Sequence, residues 1–267
     1  MKSISSRQNP LVRTFRALAD DPDPTGERLL LDGAHLVRDA HDAGALFEVL
    51  VVAASRLGTH EEEERIAQAL ESLGIDVIVA DEKVFAALSP VKSPSGIAAI
   101  VRRKVTAPSL ICEHPRAFVV TAVDVQDPGN VGGLLRAAEA GGATGAFICG
   151  TSASPFSWKA LRGSMGSALR LPIVAGMTAE AVMTCMEETG LRMIATVPRG
   201  GENPDDIDWH GRIGLLVGGE GPGLSDDVVA RCSARVTIPM ASTVESLNVA
   251  VAGGILIYAA RRQRVNP

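Results

Sequence analysis

Three short stretches of the chain combine residue types that could hold and orient a reacting group. Asn130 and Arg136 stand six apart in Asp127-Pro-Gly-Asn-Val-Gly-Gly-Leu-Leu-Arg136. Gly218-Gly-Glu-Gly-Pro-Gly223 sets one carboxylate, Glu220, among four glycines. Ser246 and Asn248 open a run without a charged residue that continues to Ala260. A guanidinium stays protonated and presents a planar fork of donors, which suits phosphate. A glycine-dense loop lets main-chain groups approach a ligand closely. Polar side chains at the mouth of an apolar helix sit where unpaired backbone N–H groups point. Plainer roles exist for each: Ser246 as the N-cap of a core helix, Glu220 as a cap partner. At a spacing of six, Asn130 and Arg136 do not share a helix face. Asn130 is therefore expected to cap its helix and shape the loop, with Arg136 projecting from it.

Each stretch follows an apolar run that reads as a strand. Strands are expected at 118–124, 146–149, 171–174, 191–196, 213–217 and 235–238. Helices are expected at 130–140, 158–169, 179–188, 226–232 and 246–262. Nearly continuous apolar strands alternating with helices predict an α/β domain with a parallel sheet covered on both faces. Strand, polar loop, helix is the layout of a ligand site at the carboxyl ends of such strands. The first stretch lacks G-x-G-x-x-G, and the next strand runs into Gly150-Thr151 with no acid for a ribose, which argues against a dinucleotide fold. The last helix is apolar nearly all round and should be buried on more than one side, yet it is too short and glycine-interrupted for a membrane span.

A second, smaller α/β alternation occupies residues 27 to 103. Between the two, 102–115 mixes charge with Pro108 and Pro115 and has no firm period. The expected organisation is a small domain at 1–106, a linker at 107–116 and a larger domain at 117–267.

At 267 residues, 46% hydrophobic and 21% charged, the composition is that of a folded globular protein. A net charge of −5 argues against non-specific coating of nucleic acid. A local basic footprint exists all the same: Lys2, Arg7, Arg13 and Arg16 precede the first acid, Asp20. The alternative is an ordinary solvated terminus. Four scattered cysteines with no C-x-x-C read as reduced thiols of a cytoplasmic protein. The five histidines lack zinc-like spacing, so no metal is expected. The start has no apolar core of a signal peptide.

Taken in order, the three stretches resemble the motifs of the SpoU/TrmH family of SPOUT methyltransferases. The matching residues are Asn130 with Arg136, then Gly218-Gly-Glu-Gly221, then Ile238-Pro-Met240 with Ser246-Leu-Asn-Val-Ala250. The amino-terminal part resembles the small, ribosomal-protein-like substrate-binding domain of that family. It does so through Ser6-Arg-Gln-Asn-Pro10, Leu29-Leu-Leu-Asp-Gly33 and Ser93-Pro-Ser-Gly-Ile-Ala98, with Asp32 where many relatives carry Glu.

The resemblance implies methyl transfer from S-adenosylmethionine to a ribose 2′-hydroxyl of RNA, by a homodimer whose carboxy-terminal domain holds a deep trefoil knot. It implies a catalytic group of Arg136, Asn130, Glu220, Ser246 and Asn248. Thr196, Gly218, Gly219, Glu220, Gly221, Ile238, Met240, Ser246 and Leu247 would hold the cofactor. Arg7, Arg13 and Arg16 are the expected contacts to RNA phosphates, and the small domain favours ribosomal over transfer RNA. A transfer-RNA ribose methyltransferase, a non-catalytic RNA-binding protein on the same scaffold and a small-molecule α/β enzyme are the alternatives.

Overall fold

The computed structural model describes all residues except Pro24, Ser242, Asn266 and Pro267, and leaves out the side chain of Val265. The chain divides into two compact units, residues 1–105 with 156–170 and residues 106–155 with 171–267.

The first unit runs β1 (Lys2–Ile4), α1 (Pro10–Asp20), β2 (Arg28–Asp32), α2 (Ala34–Asp42), β3 (Leu46–Ala53), α3 (Glu61–Ser72), β4 (Val77–Ala80), α4 (Glu82–Leu88) and β5 (Ile97–Arg102). Its sheet has the order β1-β4-β3-β5-β2. β5 is antiparallel to both neighbours and the remaining pairs are parallel. Phe15, Leu30, Val51, Phe85, Leu88 and Ile100 share one core cluster. The basic start, which carries no firm element in sequence, is folded into this unit. β1 pairs with β4, and α1 buries Val12 and Phe15. Asn9 caps α1 by accepting from Leu11 N at 2.9 Å, with Pro10 in the first turn, where its missing N–H costs nothing. Asp32 is buried and accepts from Ser89 Oγ at 2.7 Å and Ser95 Oγ at 3.0 Å. It thereby holds both ends of the segment between α4 and β5, and the carboxylate has the partners its burial demands.

The second unit begins with α5 (Pro108–Cys112), β6 (Phe118–Val123), α6 (Pro128–Ala140) and β7 (Gly145–Cys149). The chain then contributes α7 (Trp158–Ser164) and α8 (Ser167–Arg170) to the first unit. It returns for β8 (Ile173–Ala175), α9 (Ala179–Glu188), β9 (Arg192–Thr196), β10 (Ile213–Gly218), α10 (Asp226–Arg231), β11 (Ala234–Val236) and α11 (Val249–Val265). The sheet order is β11-β9-β10-β6-β7-β8 and every pair is parallel. β6 and β7 are buried at every residue, as a sheet covered on both faces requires.

Several elements differ from the sequence expectation. The segment read as a linker contains α5, whose Ile111 and Cys112 are fully buried. The helix expected at 158–169 breaks at Met165 and Gly166, both with positive φ. β11 ends at Val236, so Ile238 and Met240 lie in the loop beyond it. α11 starts at Val249, and its cap is Asn248 rather than Ser246: Asn248 Oδ1 accepts from Ala250 N at 3.0 Å and Val251 N at 3.2 Å. α11 packs on α6 at glycine positions; a Cβ on Gly253 would lie 2.3 Å from Leu134 Cδ1. Burial of α11 is one-sided. Leu256, Ile257 and Ala260 are inside, while Val251, Ile255 and Tyr258 are 52%, 43% and 49% exposed. Among the described residues, no helix is long and apolar enough to cross a membrane.

Candidate active site

A cavity of about 360 Å³ opens at the carboxyl ends of β9 and β10. Thr196 and Pro198 follow β9 into its wall, and the loop 218–223 leaves β10 to form another side. Ile238 and Met240 close it beyond β11, and Ser246, Leu247 and Asn248 stand at the mouth of α11. Val217, Val236, Ala252 and Leu256 add apolar surface. The structure thus gathers around one space every residue expected to hold a cofactor: Thr196, Gly218, Gly219, Glu220, Gly221, Ile238, Met240, Ser246 and Leu247. Sequence reading passed over Pro198 and the apolar lining. The available signal for Pro198 was its position directly after a strand end at a ligand-binding edge.

The glycine loop is shaped by backbone rather than by side chains. A Cβ on Gly219 would lie 1.9 Å from the carbonyl oxygen of Asp124, and one on Gly218 would lie 2.4 Å from the main chain at Gly223 and Leu224. Loop 218–223 therefore folds flat against itself and against the end of β6. Asp124 has φ of 57°, and its carboxylate accepts from Thr151 N at 2.7 Å and Thr151 Oγ1 at 2.9 Å. That pairing fixes the turn that Gly219 approaches.

Three of the expected catalytic residues form one hydrogen-bonded chain. Asn130 Nδ2 donates to Glu220 Oε1, and Asn248 Nδ2 donates to Asn130 Oδ1 at 2.8 Å. The order is forced. An ionised carboxylate only accepts, so Asn130 must turn its amide nitrogen to Glu220 and its oxygen to Asn248. Asn248 must then present its own nitrogen, which leaves its oxygen for the first N–H groups of α11. The start of α6, the glycine loop and the mouth of α11 are locked together by this polarity.

Asn130 is not the cap of α6. Asp127 is, accepting from Asn130 N at 2.8 Å, which places Asn130 inside the first turn with its side chain free for the network. Arg136 lies further along α6, exposed and outside the cavity lining. Among the described residues it makes no hydrogen bond or ion pair. Ser246 is exposed at the rim. Burial pushes the thiols of Cys112 and Cys149 up to about 12 and that of Cys232 up to about 11, so these three offer no thiolate nucleophile near neutral pH.

The basic start is arranged on the first unit. Arg7 Nε donates to Lys83 O at 3.2 Å and Arg16 Nε to Ala87 O at 2.6 Å, both carbonyls of α4. Arg13 is exposed and makes no such bond among the described residues. Lys2 is paired with Asp76 at 2.9 Å.

Comparison with known proteins agrees with this geometry. Residues 117–258 match the SpoU rRNA Methylase family, and residues 9–99 match the MRM3-like substrate binding domain. The chain is 33% identical to an uncharacterised tRNA/rRNA methyltransferase of Synechocystis over 98% of its own length and 94% of the relative's. It is 30% identical to the 23S rRNA (guanosine(2553)-2′-O)-methyltransferase RlmP of Bacillus subtilis, covering 97% of this chain and 98% of that one. The solved structure of an AdoMet-bound rRNA methyltransferase from Sinorhizobium meliloti superposes with a TM-score of 0.86 at 29% identity, over 98% of this chain and 97% of that one. A family match that spans every strand of the parallel sheet, together with relatives aligned nearly end to end, means that the chain belongs to the SpoU rRNA methylase family.

Proposed function

We propose that the protein transfers a methyl group from S-adenosylmethionine to a ribose 2′-hydroxyl of ribosomal RNA. The observation that carries this is the convergence of the glycine loop, the 238–240 segment and the mouth of α11 on one cavity, with Asn130, Glu220 and Asn248 hydrogen-bonded beside it.

The residues present fit the cofactor. The volume lies in the range of roughly 300–1,000 Å³ usual for small-molecule sites. Apolar side chains offer a bed for a flat base, and main-chain groups at 218–221 and 238–240 offer polar edges. Glu220 places an acceptor-only carboxylate at the wall, which suits a cationic ligand. When bound, S-adenosylmethionine supplies the electrophilic methyl.

The protein's own contribution is positioning. A guanidinium is a donor and not a proton acceptor, so the role proposed for Arg136 is not that of a literal base. Its fork of donors grips a phosphate next to the target ribose and sets the hydroxyl in line. Asn130, Glu220 and Asn248 hold the wall against which the hydroxyl is presented, and Ser246 supplies a hydroxyl at the rim. Residues 1–106 carry RNA through Arg7, Arg13 and Arg16, residues 117–267 carry the chemistry, and residues 107–116 join them.

The working form is a homodimer in the cytoplasm. Val251, Ile255 and Tyr258 make an exposed apolar stripe at helical spacing on α11, and Leu247 continues it to the cavity rim. A second copy laid on that stripe borders the site. The trefoil knot of the family belongs to the same reading. Ribosomal RNA is favoured over transfer RNA by the MRM3-like amino-terminal part and by the 23S rRNA activity named for RlmP. A non-catalytic RNA-binding protein would not need Arg136, Asn130 and the glycine loop together. Mapping of 2′-O-methyl positions in ribosomal RNA from cells with and without the protein tests the proposal: one position should lose its methyl, and an unchanged map would refute it.

A further inference from the structure

The second unit has another hollow, also about 360 Å³, that the methyl-transfer reading does not use. It lies at the amino ends of β6, β7 and β10, whereas the cofactor cavity lies at the carboxyl ends of β9 and β10. With strands of six residues at about 3.3 Å each, the two are separated by roughly 20 Å. His114 and Arg116 enter it ahead of β6, Gly142 and Thr144 ahead of β7, His210 and Arg212 ahead of β10, and Arg261 and Arg264 from the end of α11. Four guanidinium groups and two imidazoles line the hollow, and among the described residues no carboxylate does.

Two of the four arginines have structural work. Arg264 Nη1 donates to Trp209 O at 2.8 Å and Gly211 O at 2.7 Å, and its Nη2 to Arg116 O at 3.2 Å. Arg212 donates to Thr189 O at 2.6 Å and to Cys112 O. Both satisfy carbonyls, which do not neutralise a cation. Arg212 Nε is buried with no hydrogen-bond partner among the described residues. The other two are different. Arg116 and Arg261 make no hydrogen bond or ion pair from their side chains among the described residues. Arg261 Nη1 lies 3.3 Å from the position of a Cβ on Gly142, so the missing side chain leaves it room. His114 Nδ1 accepts from Arg116 N at 3.3 Å, which leaves Nε2 as the protonated, donating nitrogen. His210 is the exception, being held by Asp208 at 2.8 Å.

Favourable placement of arginines at a helix C-terminus accounts for Arg264. It does not account for Arg116, which comes from a different segment and adds like charge to a concave site. The electrostatic cost is visible: burial, and then the neighbouring Arg116, hold Arg264 below its usual range. Fixed cations in a hollow, two unpartnered forks and an imidazole N–H form a receptor for an anion with several acceptor oxygens.

We propose that this hollow is a phosphate site. The phosphate is either a phosphodiester of the RNA bound by the enzyme or a free phosphate group; the RNA source rests on the function proposed above, and the free source does not.

The test compares the full-length protein with its Arg116→Gln/Arg261→Gln variant, whose altered side chains hold no hydrogen bond or ion pair among the described residues. Inorganic phosphate is titrated at constant ionic strength while the melting temperature is read. Binding of deproteinised 23S ribosomal RNA is measured across a salt series, and S-adenosylmethionine binding serves as the control. The parent should melt roughly 3 °C higher once phosphate is well above its dissociation constant, and the variant should not. If the RNA is the source, the variant also binds RNA more weakly and its salt slope falls by about 0.7–0.9 per lost contact. Loss of the phosphate response with unchanged RNA binding assigns the site to free phosphate. Equal responses of parent and variant to both phosphate and RNA overturn the proposal. Absence of methyl transfer by the parent would refute the proposed function while leaving the phosphate titration to be judged separately.

Discussion

Asn248 donates its side-chain amide to Asn130 Oδ1 at 2.8 Å across 118 residues of sequence, while its own carbonyl oxygen caps α11. One side chain thus closes the hydrogen-bonded chain of Asn130, Glu220 and Asn248 and starts the helix that lines the cavity. The two roles are separable by substitution. Asn248→Ala should lose both, with about 1 kcal/mol of stability lost with the cap. Asn248→Asp keeps an acceptor for the cap but has no amide to give Asn130, and adds a carboxylate to the neighbourhood of Glu220. It should melt close to the parent and yet transfer methyl at least tenfold more slowly. Equal rates for Asn248→Asp and parent would show that the bond to Asn130 has no catalytic weight.

Arg136 has no hydrogen-bond or ion-pair partner among the described residues, so its removal should leave the fold intact. Arg136→Ala is expected to melt with the parent and bind S-adenosylmethionine normally. Its single-turnover methyl transfer should fall by orders of magnitude at saturating RNA, because the role proposed for Arg136 is a contact with the reacting RNA and not with the protein. Arg136→Lys should recover little, since a lysine cannot reproduce the planar fork. Near-parental turnover in either variant removes Arg136 from the mechanism.

The glycines of the 218–223 loop differ in what they tolerate. A Cβ at Gly219 meets the Asp124 backbone oxygen at 1.9 Å, a contact no side-chain movement relieves. Gly219→Ala should cost about 3 kcal/mol and abolish cofactor binding. Gly221 has φ of 102° and nothing within reach of a Cβ, so Gly221→Ala carries only backbone strain of about 1–2 kcal/mol. Thermal melts with and without S-adenosylmethionine rank the two; the reverse order would show that the loop is built differently.

The stripe on α11 gives the assembly test. Ile255 is 43% exposed between Val251 and Tyr258. Light scattering of the parent should give twice 27.8 kDa, and Ile255→Glu should give the single mass and lose activity. An active monomer in either case rules out a site shared between copies.

The amino-terminal arginines should separate into two kinds. Arg13→Ala should weaken RNA binding and lower its salt slope by about 0.7–0.9 without moving the melting temperature. Arg16→Ala should show the same loss together with a small drop in melting temperature, since Arg16 also holds Ala87 O of α4. Unchanged RNA affinity in both would make this start an ordinary solvated terminus.

The strand pattern of the second unit was legible because a parallel sheet covered on both faces needs apolar residues at every position, and β6 and β7 are written that way. Of the residues that line the cavity, the 218–223 loop and Ser246 were legible because glycine density and polar residues at strand ends are local features, whereas Thr196, Ile238, Met240 and Leu247 were expected from the family resemblance. Other properties were decided only in three dimensions. The cap of α11 falls at Asn248 rather than Ser246, on the side chain that also bonds Asn130, itself held by Glu220. Asn130 gave up its expected cap role because Asp127, three residues earlier, caps α6 and accepts from the backbone N–H of Asn130 itself. Helix α1 and strand β1 were hidden under the charges of the first residues, since their apolar side chains declare themselves only when packed on the core around Phe15 and Phe85. α11 reads as apolar all round, but which side is buried depends on where Leu134 of α6 meets Gly253. The hollow of arginines at the opposite end of the sheet is assembled from four segments far apart in the chain, each unremarkable alone. Local pattern specifies elements; long-range packing specifies which side chains share a space, and no spacing along the chain encodes that.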